Sequence, residues 1–186
     1  KAYKENNHLI LLAKNLTGYK NLLKISTISH LEGFYYRPRI DKNVLKNYTE
    51  GLICLTACPK GELGQLLIQG NEEKARDLVK WYLDLFKDDF YLEIQRHQYL
   101  SFLPQTKDPK IIDRLKKDQE DEDKWVGGVI KLSREMGVPL VATNDVHYLK
   151  KEDAFPQDVL VCVSTACMVN ETNRLRYVDT PSLHLR

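Results

Sequence analysis

Four short apolar runs set the terms on which this chain folds. Residues 9–13 (LILLA), 52–55 (LICL), 90–94 (FYLEI) and 139–143 (PLVAT) are each of strand length and close to continuous in apolar character. A strand with one wet face alternates, whereas a strand covered on both faces reads as an unbroken run. Between the runs the period becomes helical. Leu22, Leu23, Ile25, Ile28 and Leu31 recur at helical spacing until Gly33, and a short helical turn is expected near Val44 and Leu45. Residues 62–69 read as a short helix ended by Gly70. Asn71 can cap the next, with Glu72 and Glu73 at its positive end. Ala75, Leu78, Val79, Tyr82 and Phe86 share one face there; Trp125, Val129, Leu132 and Met136 stripe another helix that ends at Gly137; residues 159–163 belong to a last one. Strands alternating with helices predict an α/β fold of parallel strands.

Composition narrows the function. Of 186 residues, 42% are hydrophobic and 29% charged, which suits a core-forming chain and not a disordered one. The formal net charge is only +2, so no global field steers the molecule to nucleic acid or anionic lipid. No apolar window approaches the roughly 20 residues of a membrane span, and Lys1-Ala2-Tyr3-Lys4 opens no signal peptide. A cytoplasmic setting with free thiols follows for Cys54, Cys58, Cys162 and Cys167, whose C-x3-C and C-x4-C spacings are not those of a zinc ribbon. Residues 98–124 interrupt the rhythm with Pro104, Pro109 and a dense mixed-charge run; they read as a charged insertion, either a solvated helix face or a loop.

In parallel β/α architectures, chemistry collects just past the carboxyl ends of strands. Three such ends carry metal-ligating side chains: Cys58 after the second run, His97 after the third, and Asp145 with His147 after the fourth. Along an extended backbone, residues 145 and 147 would point the same way, letting a carboxylate and an imidazole converge on one ion. The alternative is an N-cap aspartate beside a surface histidine. Cys58 is either a ligand or a buried thiol. His97 is a ligand, a phosphate contact or a solvent-exposed loop histidine. His8 stands at the entry of the first strand, where a structural histidine is the ordinary reading; His30 and His184 carry no role. Arg37 and Arg39, flanking Pro38, suit phosphate or carboxylate binding, or a plain salt bridge.

Several stretches, in order, resemble a known family. His8 to Asn15 (HLILLAKN) with Thr17 to Leu22 (TGYKNL), Glu32 to Asp41 (EGFYYRPRID), Glu50 to Ile53 (EGLI), Ala142 to Tyr148 (ATNDVHY) and Asp158-Val159-Leu160 are similar to the polymerase-and-histidinol-phosphatase (PHP) domain of bacterial DNA polymerase III alpha subunits. The resemblance covers most of the chain outside residues 98–124. It implies a partial, distorted, TIM-like β/α barrel, with residues 1–186 an incomplete PHP domain and 151–186 the start of a connection toward the polymerase region. It implies a divalent-metal site, with zinc or manganese the family's usual ions and magnesium a further candidate. By motif position Asp145 and His147 match the family's last D-x-H pair, Cys58 a strand-end ligand that is Cys or His in relatives, and His8 an earlier histidine. His97 falls on a strand-end histidine of many relatives.

The family's opening H-x-H motif, the next acidic and histidine ligands and the following Glu are absent, and none of the catalytic aspartates of nucleotide addition is present. The resemblance therefore implies an internal piece of a replicative polymerase, itself inactive, whose domain has either a metal-dependent 3′–5′ exonuclease role in proofreading or a structural one. Expected partners of the whole protein are DNA, the sliding clamp and the proofreading subunit, with no membrane. The rival readings are a stand-alone PHP metal-dependent phosphoesterase and a purely structural or interaction module. The polymerase reading expects the Cys58 thiol and the Asp145 and His147 side chains to share one rim.

Overall fold

A computed structural model describes residues 6–177 and 183–184. The opening Lys1-Ala2-Tyr3-Lys4 stretch and the closing Leu185-Arg186 lie outside the described residues. The elements run β1 (Ile10–Ala13), α1 (Leu16–Leu31), α2 (Lys42–Lys46), β2 (Leu52–Leu55), α3 (Glu62–Ile68), α4 (Glu72–Phe86), β3 (Phe90–Ile94), α5 (Pro109–Met136), β4 (Leu140–Ala142) and α6 (Ala154–Thr165). This is the α/β alternation that the change of period predicts. The chain divides into two compact units. One takes in the residues up to Ile94 with Gly127–Val141; the other takes in Gln95–Val126 and the residues from Ala142 onward.

The first unit is built on a four-stranded mixed sheet of order β1-β2-β3-β4. β2 and β3 are parallel, Cys54 opposite Phe90 and Leu55 opposite Tyr91. The uniformly parallel sheet expected from the apolar runs does not form, because β1 pairs antiparallel with β2, Ile10 opposite Leu55 and Ala13 opposite Leu52. An unbroken apolar run reports that both faces of a strand are covered; the direction of pairing depends on how the connecting chain returns. Here α1 and α2 bring it back for an antiparallel partner.

That return needs a glycine. Thr17-Gly18 reads as punctuation, yet Gly18 lies in the first turn of α1, which Asn15 caps by accepting from the Gly18 amide at 3.0 Å. A β-carbon on Gly18 would stand 1.8 Å from the Gly51 carbonyl oxygen, so only glycine lets α1 pass this close to the turn before β2. α4 packs the predicted face inward: Ala75, Leu78, Val79, Tyr82 and Phe86 are all buried, and Tyr82 stacks on Phe90 with ring centroids 5.3 Å apart. Burying each larger side chain is worth about 1.5–3 kcal/mol. Cys54 is fully buried in β2, which pushes its thiol pKa well up; it behaves as a small hydrophobe.

In the second unit, residues 109–124 are not a loop. They form the first part of the 28-residue helix α5, which continues to Met136. The mixed charges on its outer face pair at helical spacing, Lys117 with Asp121 and Lys124 with Glu120. The segment after α6 is held by a buried ion pair: Arg174 clamps Asp158 with two bonds, of 3.0 and 2.6 Å, and Asp158 also accepts from the Tyr177 amide at 2.7 Å. Tyr148, Ala154 and Leu183 form a small apolar cluster with Tyr177 packed against it.

Candidate functional site

The densest polar constellation of the second unit centres on His97, three residues beyond the end of β3. It is not the solvent-exposed loop histidine that was one of its three readings: only 5% of it is exposed. Its Nδ1 stands 2.6 Å from Glu122 Oε2, and its backbone amide donates to the same oxygen at 3.0 Å. Its ring stacks on Tyr99. Burial alone would push the imidazole pKa down. Hydrogen bonds and charge from Asp145 and Glu122 outweigh that and raise it to about 9, so the free site holds an imidazolium between two carboxylates.

His97 Nε2 lies 3.5 Å from Asp145 Oδ2. At that length the hydrogen bond is a weak one. The distance is close to the separation, about 3.4 Å, of two donors on one tetrahedral ion with bonds of about 2.1 Å. A carboxylate on the far ring nitrogen, as Glu122 provides, is the usual device for orienting a metal-binding imidazole. These donors fit two corners of a coordination sphere. Among the described residues, no group of three or more His, Cys, Asp or Glu side chains is gathered to hold an ion.

Asp145 and His147 meet differently from the extended-strand expectation. Asp145 adopts the left-handed region (φ 43°), so the alternation that would aim both side chains one way is broken. The turn points the Asp145 carboxylate toward His97, while His147 Nδ1–H donates back to the Asp145 carbonyl at 2.7 Å and lies 3.9 Å from its carboxylate. His147 rests against the Tyr177 ring, centroids 4.8 Å apart, and its amide donates to Leu183 at 2.9 Å. Tyr177, pushed up in pKa by burial first and by Asp145 second, stays neutral.

The first unit holds a second donor pair. Cys58 Sγ is 3.4 Å from His8 Nδ1. Cys58 is not the buried thiol of its alternative reading: it is partly exposed, and His8 is exposed. Two elements position them. His8 bridges to Gly61, its amide donating to the Lys60 carbonyl, and Cys58 sits in the turn after β2, where Ala57 takes a left-handed φ of 63°. A thiolate and an imidazole at this separation suit a borderline ion such as zinc. Arg37 and Arg39 stand apart from this pair in sequence, in the loop after α1, where Arg39 lies over the Tyr35 ring at 5.0 Å.

Glu122 is the member of the His97 constellation missed at the sequence level, where its charged run reads as solvated. A signal was present. Leu115, Glu122, Trp125, Val126 and Val129 fall on one helical face, and all five are buried. A carboxylate on the buried stripe of a helix needs a cationic or hydrogen-bonding partner, and His97 is that partner.

Comparison with known proteins places the chain in a family. The PHP domain family model matches residues 1–97. The chain is 46% identical over 183 residues, 98% of its length, to the DNA polymerase III subunit alpha of Borreliella burgdorferi. It is 40% identical over 172 residues, 91% of its length, to that of Treponema pallidum, and 36% identical over 184 residues, 94%, to that of Chlamydia trachomatis. It spans only 14%, 13% and 14% of those proteins. With the family model covering more than half its length, and strand ends bearing His, Cys and Asp side chains, this chain belongs to the PHP domain family.

Proposed function

We propose that this chain is the PHP portion of a replicative DNA polymerase III alpha subunit, and that its strand-end donors take part in divalent-metal binding. One observation carries the polymerase reading: similarity to alpha subunits continues at 46% identity over 98% of the chain, well past the residues 1–97 that the family model matches. A stand-alone phosphoesterase would share only the family core. The whole protein would catalyse DNA-directed DNA synthesis, with DNA, the clamp and a proofreading subunit as partners, in the cytoplasm. The strands would form part of a distorted, TIM-like β/α barrel.

Within this chain, Asp145, His147 and His97 are the proposed donors of the second unit, and Cys58 with His8 those of the first. A bound zinc, manganese or magnesium ion would supply a hydroxide nucleophile at neutral pH and neutralise charge on a phosphodiester oxygen. Glu122 would fix the His97 ring by holding its Nδ1 proton, leaving Nε2 as the donor. To bind metal, His97 must give up the second proton it holds in the free site, so loading should release protons and weaken at low pH.

A structural role is the second reading, and the buried His97–Glu122 contact favours it, because Glu122 is already met by the His97 imidazolium at 2.6 Å and by Arg96 at 3.5 Å without any ion. Metal analysis of the intact protein separates the two. Metal content should fall in Asp145→Ala and His147→Ala; content unchanged by both rejects the metal reading of the second unit and leaves the structural one there.

A further inference from the structure

The loop from Phe34 to Arg39 takes no part in either donor pair, yet it is built to present rings. Phe34, Tyr35 and Tyr36 are 58%, 54% and 72% exposed, three consecutive aromatic side chains at the surface. The loop is closed at its base, where Gly33 lies so near the Arg39 carbonyl that a β-carbon would stand 1.9 Å from its oxygen. At its tip the Tyr35 amide donates to the Arg37 carbonyl at 3.2 Å, which forces Tyr36 into the left-handed region at φ 59°. That conformation is unfavourable for a bulky aromatic residue, and asparagine or glycine would adopt it at less cost. A strained, exposed ring held at a loop tip points from an observed outlier to a function.

The neighbours define the ligand. Arg39 packs over the Tyr35 ring at 5.0 Å, and Tyr35 meets Tyr36 edge-on at 4.7 Å. Arg37 is exposed beside them, and no carboxylate occurs between Glu32 and Asp41. Asp41 is itself engaged as the cap of α2, accepting from the Val44 amide at 2.8 Å. Arg39 also donates to Asn6 Oδ1 at 3.5 Å, a neutral partner. Aromatic faces interleaved with guanidinium groups, with no acid in the intervening sequence, are the chemistry of an unpaired nucleic-acid strand: bases stack on rings and phosphates meet the cations.

We propose that the Phe34–Arg39 loop is a contact site for single-stranded DNA, with Tyr36 as the stacking platform and Arg37 and Arg39 as phosphate contacts. The ligand class comes from these residues; only its setting rests on the polymerase reading, and the site requires no metal. Its failure is therefore separable from that of the donor pairs, provided binding is measured in chelator.

The test is fluorescence anisotropy of a labelled oligothymidylate titrated with the 186-residue chain in EDTA, over a series of salt concentrations. Tyr36→Gly is the decisive variant, because glycine relieves the left-handed strain. Its melting temperature should hold or rise while affinity falls roughly tenfold. Tyr36→Phe should bind as the parent does. Arg37→Ala should lower the slope of log affinity against log salt by about 0.7, the loss of one phosphate contact on a single strand. Undetectable binding by the parent chain, parental affinity in Tyr36→Gly, or equal affinity for duplex DNA or polyglutamate of matched length would each overturn the proposal.

Discussion

The two donor pairs follow opposite design rules. In the second unit, His97 and Glu122 are buried almost completely and lie 2.6 Å apart. In the first, His8 is exposed and Cys58 partly exposed, their contact a 3.4 Å approach of a thiol and an imidazole. Groups taken out of water must be paired to be tolerated, so the His97–Glu122 arrangement is woven into stability; groups left at the surface cost little to keep or lose. The same residue types can thus be structural commitments in one unit and detachable donors in the other.

The largest expected effect comes from removing one member of a buried charge pair. Glu122→Ala leaves a buried imidazolium facing one carboxylate fewer and should cost about 3–5 kcal/mol, read as a lower urea midpoint. An unchanged midpoint would show that His97 is not held as a cation. Arg174→Ala tests the other buried pair at a similar scale, roughly 3 kcal/mol or more. It should also release Tyr177 from His147, visible as a change in the His147 ring signals by NMR.

The next effect is a pH dependence. The folded pKa of His97 lies at about 9, above the ordinary 6.5. A raised value means that the folded state binds the proton more tightly. Its contribution is therefore complete below pH 6.5 and lost as pH rises to 9, at most about 3 kcal/mol in the metal-free protein. Urea midpoints across that window should decline in the parent and flatten in His97→Gln. A parent that is equally stable at pH 6 and pH 9 would contradict the buried imidazolium.

The smallest effect belongs to the exposed pair. Cys58→Ser and His8→Ala should each shift stability by less than about 1 kcal/mol, as surface substitutions do. If the pair is a metal ligand set, they should nonetheless lower zinc content of the intact protein. A loss of stability as large as that of Glu122→Ala would erase the contrast between the two pairs.

Much of this was legible in the residues. Periodicity alone located β2, β3, α4 and α6, and placed Cys58, His97, Asp145 and His147 after strands. Glu122 escaped because a mixed-charge run reads as solvated unless the apolar stripe of α5 is followed back through it from Val129 to Leu115. The Asp145–His147 geometry escaped because the extended backbone assumed after β4 gives way to a left-handed turn at Asp145.

What the chain determined by itself is the set of local choices: which segments bury a face, where helices begin and stop, and which donors stand at strand ends. These follow from side-chain spacing and from the residues that cap and break elements. Tertiary structure decided the antiparallel return of β1, the partner of His97 and the direction of the Asp145 carboxylate. Each depends on groups far apart in the chain, Ile10 with Leu55 and His97 with Glu122, and local periodicity carries no information about which distant group will be met.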